Sequence, residues 1–256
     1  MPQEYEEKSK KEIKNTTGID KSPRLFVVER KYMNIIKQSY KMITTDEEFK
    51  LALDRIEEAG RLCYKSKKSQ TTEIRNKFIE NMIKKGHYSV IEHFNISVQF
   101  VTNRAITHEL VRHRIASYSQ ESTRYCNYSG DRFGKELTYI LPVWFYNMED
   151  NISNLVPRYE NWIRTLSKIE FDYFADLDLG AKPEEARGIL PNDLKTEILI
   201  TCNVREWRHI FELRLFNIHA HVQIRNLICP VFFQMSKLLP PLFSDTNFAE
   251  ESINLI

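Results

Sequence analysis

Asn95, Ser97 and Gln99 alternate with Ile96, Val98 and Phe100. A period of two is that of a strand with one buried face. Such a strand needs a partner and a cover. Residues 102–114, which follow, read as a helix. The same order recurs later in the chain. Residues 194–202 read as a strand, and Asn203 then caps a helix with Glu206 completing a capping box. Trp207, Ile210 and Phe211 give that helix its apolar side, and Arg205, Arg208, His209 and Arg214 are spread along it.

The remaining segments fill in around these. Residues 33–43 read as a strand. Thr45 and Glu48 open a helix through a capping box, with Phe49, Leu53, Ile56 and Cys63 expected inside. Residues 71–85 read as a second helix, with Ile74, Phe78, Met82 and Ile83 inward and Gly86 as its stop. A turn at Gly130 precedes a short strand at Leu137–Leu141. Residues 143–176 are mostly helical, with Trp162, Ile163, Leu166, Ile169 and Phe174 as core. Pro183 starts a short helix beyond Gly180, and residues 218–225 lead into a last helix that stops at Pro240-Pro241. Residues 1–24 are rich in lysine and glutamate and lack an apolar face, so they are expected to be a flexible extension to a single domain at 25–256.

A chain of 256 residues holds one large domain or two small ones. Its net charge of +2 gives no case for nucleic-acid binding by bulk electrostatics. The cysteines at 63, 126, 202 and 229 form no Cys-x-x-Cys pair, which points to a reduced, cytoplasmic setting without a zinc site. No apolar run reaches membrane-spanning length, and the polar N-terminus has no signal-peptide character.

Chemistry concentrates between Arg112 and Tyr125. Arg112, His113 and Arg114 are consecutive, hydroxyls follow at Ser117, Ser119, Ser122 and Thr123, Gln120 adds an amide, and Arg124 closes the set. Guanidinium forks suit phosphates and planar carbonyls, so the stretch suits a nucleotide. The plainer reading is a solvated basic face. In a helix, Arg112 and Arg114 would point about 200° apart. Either two ligands flank the segment or the helix breaks within it. On the helical reading, Glu109, Arg112 and His113 share a face, and Glu109 either makes a local ion pair or orients Arg112. His87, Glu92 and His93 invite a metal, but an extended segment would project His87 and His93 too far apart for easy shared ligation, and His219 and His221 would fall on different helix faces. No metal is expected.

The run Arg112-His113-Arg114-x-x-Ser117, ending in Ser122-x-Arg124-Tyr125, resembles the signature of the flavin-dependent thymidylate synthases. So do His87-x-Ser89-x-x-Glu92-His93, Ala186-Arg187-x-x-Leu190-Pro191, and the stretch from Arg205 through His209 to Leu213-Arg214. The resemblance covers residues 33–238. It implies an α+β fold with a mixed β-sheet and long flanking helices. It implies conversion of dUMP to dTMP with methylenetetrahydrofolate, FAD and NADPH, in a homotetramer with sites between subunits. By the same resemblance, dUMP would meet Glu109, Leu110, Val111, Arg112, Gln120, Glu121, Ser122, Thr123, Arg124, Arg187 and Arg214. FAD would meet Ser89, Arg112, His113, Arg114, Gln120, Asn203, Val204, Arg205 and His209. Arg214 would face the uracil ring and is the catalytic candidate. Two rival classes are a cysteine-dependent thymidylate synthase, which needs a positioned thiolate, and a non-catalytic nucleotide- or RNA-binding module. None of the four cysteines falls within either arginine-rich signature.

Overall fold

The structure is a computed structural model and describes residues 33–245, apart from 131–133, 135 and 148–151. The expectations for residues 1–24 and for the start of the domain at Leu25 lie outside these residues. Its strands are β1 (Met33–Ile36), β2 (Ser39–Met42), β3 (Asn95–Asn103), β4 (Ser117–Gln120), β5 (Leu137–Ile140) and β6 (Lys195–Asn203). Its α-helices, among the described residues, are α1 (Asp46–Tyr64), α2 (Thr72–Lys84), α3 (Arg104–Leu110), α4 (Ile152–Asp178), α5 (Pro183–Ala186), α6 (Val204–Phe211) and α7 (Val222–Leu238).

β3 and β6 pair antiparallel over nine residues, from Asn95 opposite Asn203 to Asn103 opposite Lys195. β2 and β4 complete a four-stranded antiparallel sheet in the order β2-β3-β6-β4. The period-two reading holds. Ile96, Val98 and Phe100 are fully buried, as are Ile198 and Ile200 opposite them. Against this face pack Trp207, Ile210 and Phe211 of α6 and Phe232 of α7. The Trp207 indole N–H donates to the Ile96 carbonyl at 3.0 Å, so the largest core side chain is also hydrogen-bonded.

The segment expected as one strand at 33–43 is two. β1 pairs in parallel with β5, whereas β2 joins the main sheet. Gln38, between them, explains the break. Its amide donates to the Gln223 carbonyl and to Asn226 Oδ1, both at 2.9 Å, tying the bend to α7. An antiparallel bridge from Tyr139 to Leu194 links β5 to the chain entering β6. Parallel and antiparallel pairings therefore both occur, as the mixed reading requires. Cys63 and Ile74, expected inside, are exposed, because the inward stripes of α1 and α2 run through Ala52–Ile56–Gly60 and Ile79–Met82–Ile83 instead. The helix expected from residue 102 starts two residues later, since β3 runs on to Asn103, whose side chain then caps α3 by accepting the Ile106 N–H at 2.9 Å.

A second core lies beside α4, built from Tyr128, Leu137, Tyr139, Leu166 and Tyr173. Glu170 sits at its edge, 5% exposed, and accepts the Leu137 N–H at 2.7 Å. Burial, with a smaller push from Glu136, raises its carboxyl to about 7. The folded chain thus keeps a proton there that the unfolded chain loses near 4.5. Stability from this group is full below pH 4.5 and is lost as pH rises through 7. Glu170→Gln keeps the acceptor and removes the charge. Urea unfolding of the variant at pH 8 should show a gain of about 1–3 kcal/mol over the native chain, and almost none at pH 4.5. An unchanged pH dependence in the variant would refute this account.

Candidate active site

α3 stops at Leu110, so Arg112, His113 and Arg114 are not helical. The expected sharing of one helix face by Glu109, Arg112 and His113 therefore fails, and with it the opposed placement of Arg112 and Arg114. The helix breaks because Tyr118, on β4, turns its hydroxyl back onto the Leu110 and His113 carbonyls, at 2.8 and 2.6 Å. This closes residues 111–116 into a loop over the end of α3. Arg112 and Arg114 are exposed on that loop, while His113 turns inward and is 4% exposed.

Glu109 does not orient Arg112. Its carboxylate accepts from Arg214 Nη1 at 3.0 Å, and its carbonyl accepts from Arg214 Nη2 at 3.3 Å. Arg214 Nε donates to His113 Nε2 at 3.2 Å. Arg214 lies in a π turn, Glu212–Phe216, that continues α6. Two side chains from one turn of the chain thus meet a guanidinium about a hundred residues away in sequence. Burial, then the Arg214 charge, then His209 bring the His113 pKa down to about 4. His113 is neutral at pH 7 and so can accept a hydrogen bond from a cation.

On the other side of His113, Tyr88, Ile115, Asn203, Arg205 and His209 line a cleft of about 570 Å³. Its size is within the range of small-molecule sites. Ser89 is exposed on the adjoining 3-10 turn, Tyr88–His93, which replaces the expected extended segment. Arg205 is 55% exposed and pairs with Glu92 at 2.5 Å. Exposed pairs of this kind contribute about 0–1 kcal/mol, so an anionic phosphate displaces Glu92 at little cost. The donors and the aromatic wall fit a flavin dinucleotide. Asn203 spends its amide oxygen on capping α6. Val204 is fully buried and gives its N–H to the Phe94 carbonyl, so it lies beneath the cleft and offers a cofactor neither side chain nor donor.

The residues expected at the nucleotide divide into two groups. Arg112, Arg124 and Arg187 are exposed, with Arg124 3.7 Å from Glu184 and Arg187 following in the next turn. Ser122 Oγ accepts the Arg124 N–H at 3.3 Å, and Thr123 is buried beside it. Others are committed to the fold. Gln120 donates to Thr107 Oγ1 and Thr196 Oγ1, at 3.0 and 3.2 Å. Glu121 accepts from Tyr128 at 2.9 Å and from Lys195 at 3.1 Å, which explains its place in the motif without a ligand. Leu110 is core, and Val111 is partly exposed at the loop's start. Sequence reading gives no site role to Tyr88, Glu92, Ile115, Glu206, Arg208 and Glu212, which also line the cleft.

The family profile described as thymidylate synthase complementing protein matches residues 47–241. A flavin-dependent thymidylate synthase of Geobacter sulfurreducens is 34% identical over 214 residues, covering 80% of this chain and 84% of the relative. One from Mycobacterium avium is 34% identical over 206 residues, covering 76% and 79%. This chain belongs to the flavin-dependent thymidylate synthase family. The fold is also that of the UMP/dUMP methylase PolB from Streptomyces cacaoi bound with 5-Br UMP, at a TM-score of 0.64 with 18% identity, over 82% of this chain and 94% of that one. Within the family signature, the structure separates the side chains that face solvent from those, like His113 and Glu121, that hold the frame.

The neutral state of His113 has a measurable cost. The unfolded imidazole takes up a proton below pH 6.5, while the folded one resists until about 4. Stability from this group is present above 6.5 and is lost as pH falls through 4. His113→Gln keeps an acceptor for Arg214 without titrating. The native chain should lose up to about 3 kcal/mol more than this variant between pH 7 and 4, by urea unfolding. Equal losses in the two would show that His113 is protonated in the fold.

Proposed function

We propose that the protein converts dUMP to dTMP, with methylenetetrahydrofolate as carbon donor, FAD as redox carrier and NADPH as reductant. Family membership supports the reaction class. The observation that carries it here is the clamping of Arg214 by Glu109 and a neutral His113. Arginine has five N–H donors, and three are used in these bonds, which leaves two. Those two, on a guanidinium already fixed in direction, suit the carbonyl of a uracil ring on which negative charge builds up. Donors fixed before the reaction lower the barrier because nothing need reorganise.

When bound, FAD would supply the electron transfer that converts a donated one-carbon unit to a methyl group, which no side chain provides. Ser89, Arg114, Arg205 and His209 would hold it, with Asn203 in the wall. Arg112, Arg124 and Arg187 would neutralise the dUMP phosphate, and Ser122 would add a hydrogen bond. Ser122 has no imidazole among its described hydrogen-bond partners to activate it, which favours binding over nucleophilic attack.

A cysteine-dependent mechanism is disfavoured. Cys202 and Cys229 are buried with thiol pKa values pushed up, the reverse of what a nucleophilic thiolate needs, and no cysteine lines the cleft. A bare binding module would not need the fixed Arg214. Free thiols throughout the four cysteines support a cytoplasmic setting, and among the described residues no helix is long and apolar enough to cross a membrane.

Arg112, Arg124 and Arg187 are exposed on a single chain. Phosphate binding by such groups gains when a second surface excludes water. We therefore read the enzyme as a homotetramer with FAD and dUMP between subunits. This reading rests on exposure and family likeness, not on the opposed arginines that a continuous helix would have given.

Arg214→Ala should keep FAD and NADPH oxidation while dTMP formation falls about 10²–10³-fold. Arg214→Lys should rescue poorly, because one point charge cannot reach Glu109 and His113 together. Near-native dTMP synthesis by the alanine variant rules the role out. Arg112→Ala and Arg124→Ala should each be nearly inactive. Co-expressed in equal amounts, they should recover about a quarter of the sites if each site draws the two arginines from different chains. Mixed assemblies as inactive as the parents would place both arginines in one chain's site.

A further inference from the structure

Glu206 is the third residue of α6, the position from which a capping-box carboxylate reaches back to the N-cap N–H. Asn203 Oδ1 accepts the Glu206 N–H at 2.9 Å, but the reciprocal bond is not made. The side chain instead lies at the floor of the cleft, turned towards His113, and the residue is 6% exposed. Desolvating a carboxylate is expensive unless it has a partner. The imidazole of His113 faces it, with Nδ1 3.6 Å from a carboxylate oxygen, just beyond hydrogen-bond length. Tyr118 and Cys202 also face it, and both are held in their neutral acid forms by burial and by this negative charge.

The opposite edge of the same imidazole fixes where its proton is. Arg214 Nε donates to His113 Nε2, and a guanidinium can only donate. Nε2 must therefore present a lone pair. In a neutral imidazole the single proton then sits on Nδ1, which is the nitrogen that faces Glu206. The other tautomer would set N–H against N–H at Arg214 and leave a buried carboxylate against a lone pair.

We propose that Glu206 is a positioning residue: it holds the His113 proton on Nδ1, so that Nε2 stays open to accept Arg214 and the guanidinium keeps its direction. The effect on rate rests on the function proposed above for Arg214, while the tautomer does not. Released from one of its three bonds, Arg214 would still be present but misdirected.

The test uses the full chain labelled with ¹⁵N-histidine and carrying its flavin. Long-range ¹H–¹⁵N spectra report the tautomer of each of the seven histidines, and His113→Gln identifies the His113 signals. Native His113 should carry its proton on Nδ1. Glu206→Gln, whose amide offers both a donor and an acceptor, should give a mixture of tautomers. Its kcat for dTMP should fall about 10- to 100-fold, with KM for dUMP changed by no more than about twofold. Glu206→Asp should restore the native tautomer and part of the rate. A native His113 protonated on Nε2 overturns the proposal. So does a Glu206→Gln variant with the native tautomer whatever its rate, and so does one with a changed tautomer and native kcat. Should Glu206→Gln fail to fold, the native spectrum alone still decides the tautomer. A native protein that makes no dTMP refutes the proposed function and leaves the tautomer result standing.

Discussion

The nine-residue pairing of β3 with β6 sets everything else in this molecule. Each strand ends in an asparagine, and each asparagine caps the helix that follows. Because the strands are antiparallel, α3 and α6 start at opposite ends of the pair and return along it. That brings the residues after α3 alongside α6, so His113 meets Glu206 and His209, and Glu109 meets Arg214, across more than ninety residues of sequence. A one-residue slip in this register would turn Ile96, Val98 and Phe100 to solvent and part these pairs at the same stroke.

Around the site, the number of bonds falls as exposure rises. Arg214 is part-buried and held by three bonds, none of which uses up its capacity to donate. Arg205 is half-exposed and held by one weak pair. Arg112, Arg114, Arg124 and Arg187 are open to solvent. The group proposed to meet developing charge is thus the most heavily bonded, and the groups proposed to meet a phosphate are the more exposed. His113 makes this possible by staying neutral: burial and the Arg214 charge outweigh the carboxylate beside it.

Sequence periodicity revealed the two long strands because burial on one face leaves an alternation that survives without knowledge of partners. Caps at Thr45, Asn103 and Asn203 are local, and the two at Thr45 and Asn203 were legible for that reason. The end of α3 was not, since Tyr118 breaks it from outside the helix. Nor was the division of 33–43, which depends on contacts between Gln38 and α7 some 185 residues away. Among site residues, the spaced arginine motifs were readable as a set. Which members hold ligand and which hold the frame was not, because Glu121 is claimed by Tyr128 and Lys195, and Glu109 by Arg214, in contacts that only the fold creates. At Glu206 the sequence spells a capping box, but only the Asn203 half of it forms, because the Glu206 carboxylate is turned towards His113.

The π turn at Glu212–Phe216 carries Arg214 near its middle. A π turn is an α-helical turn with one residue too many. Removing any one residue there would restore an ordinary helix and rotate what lies beyond the cut by about 100°. Backbone length at this point brings the guanidinium within reach of Glu109 and His113, which then fix where it aims. A one-residue deletion between Glu212 and Phe216 would therefore swing the guanidinium away from Glu109 and His113 even with every remaining side chain unchanged.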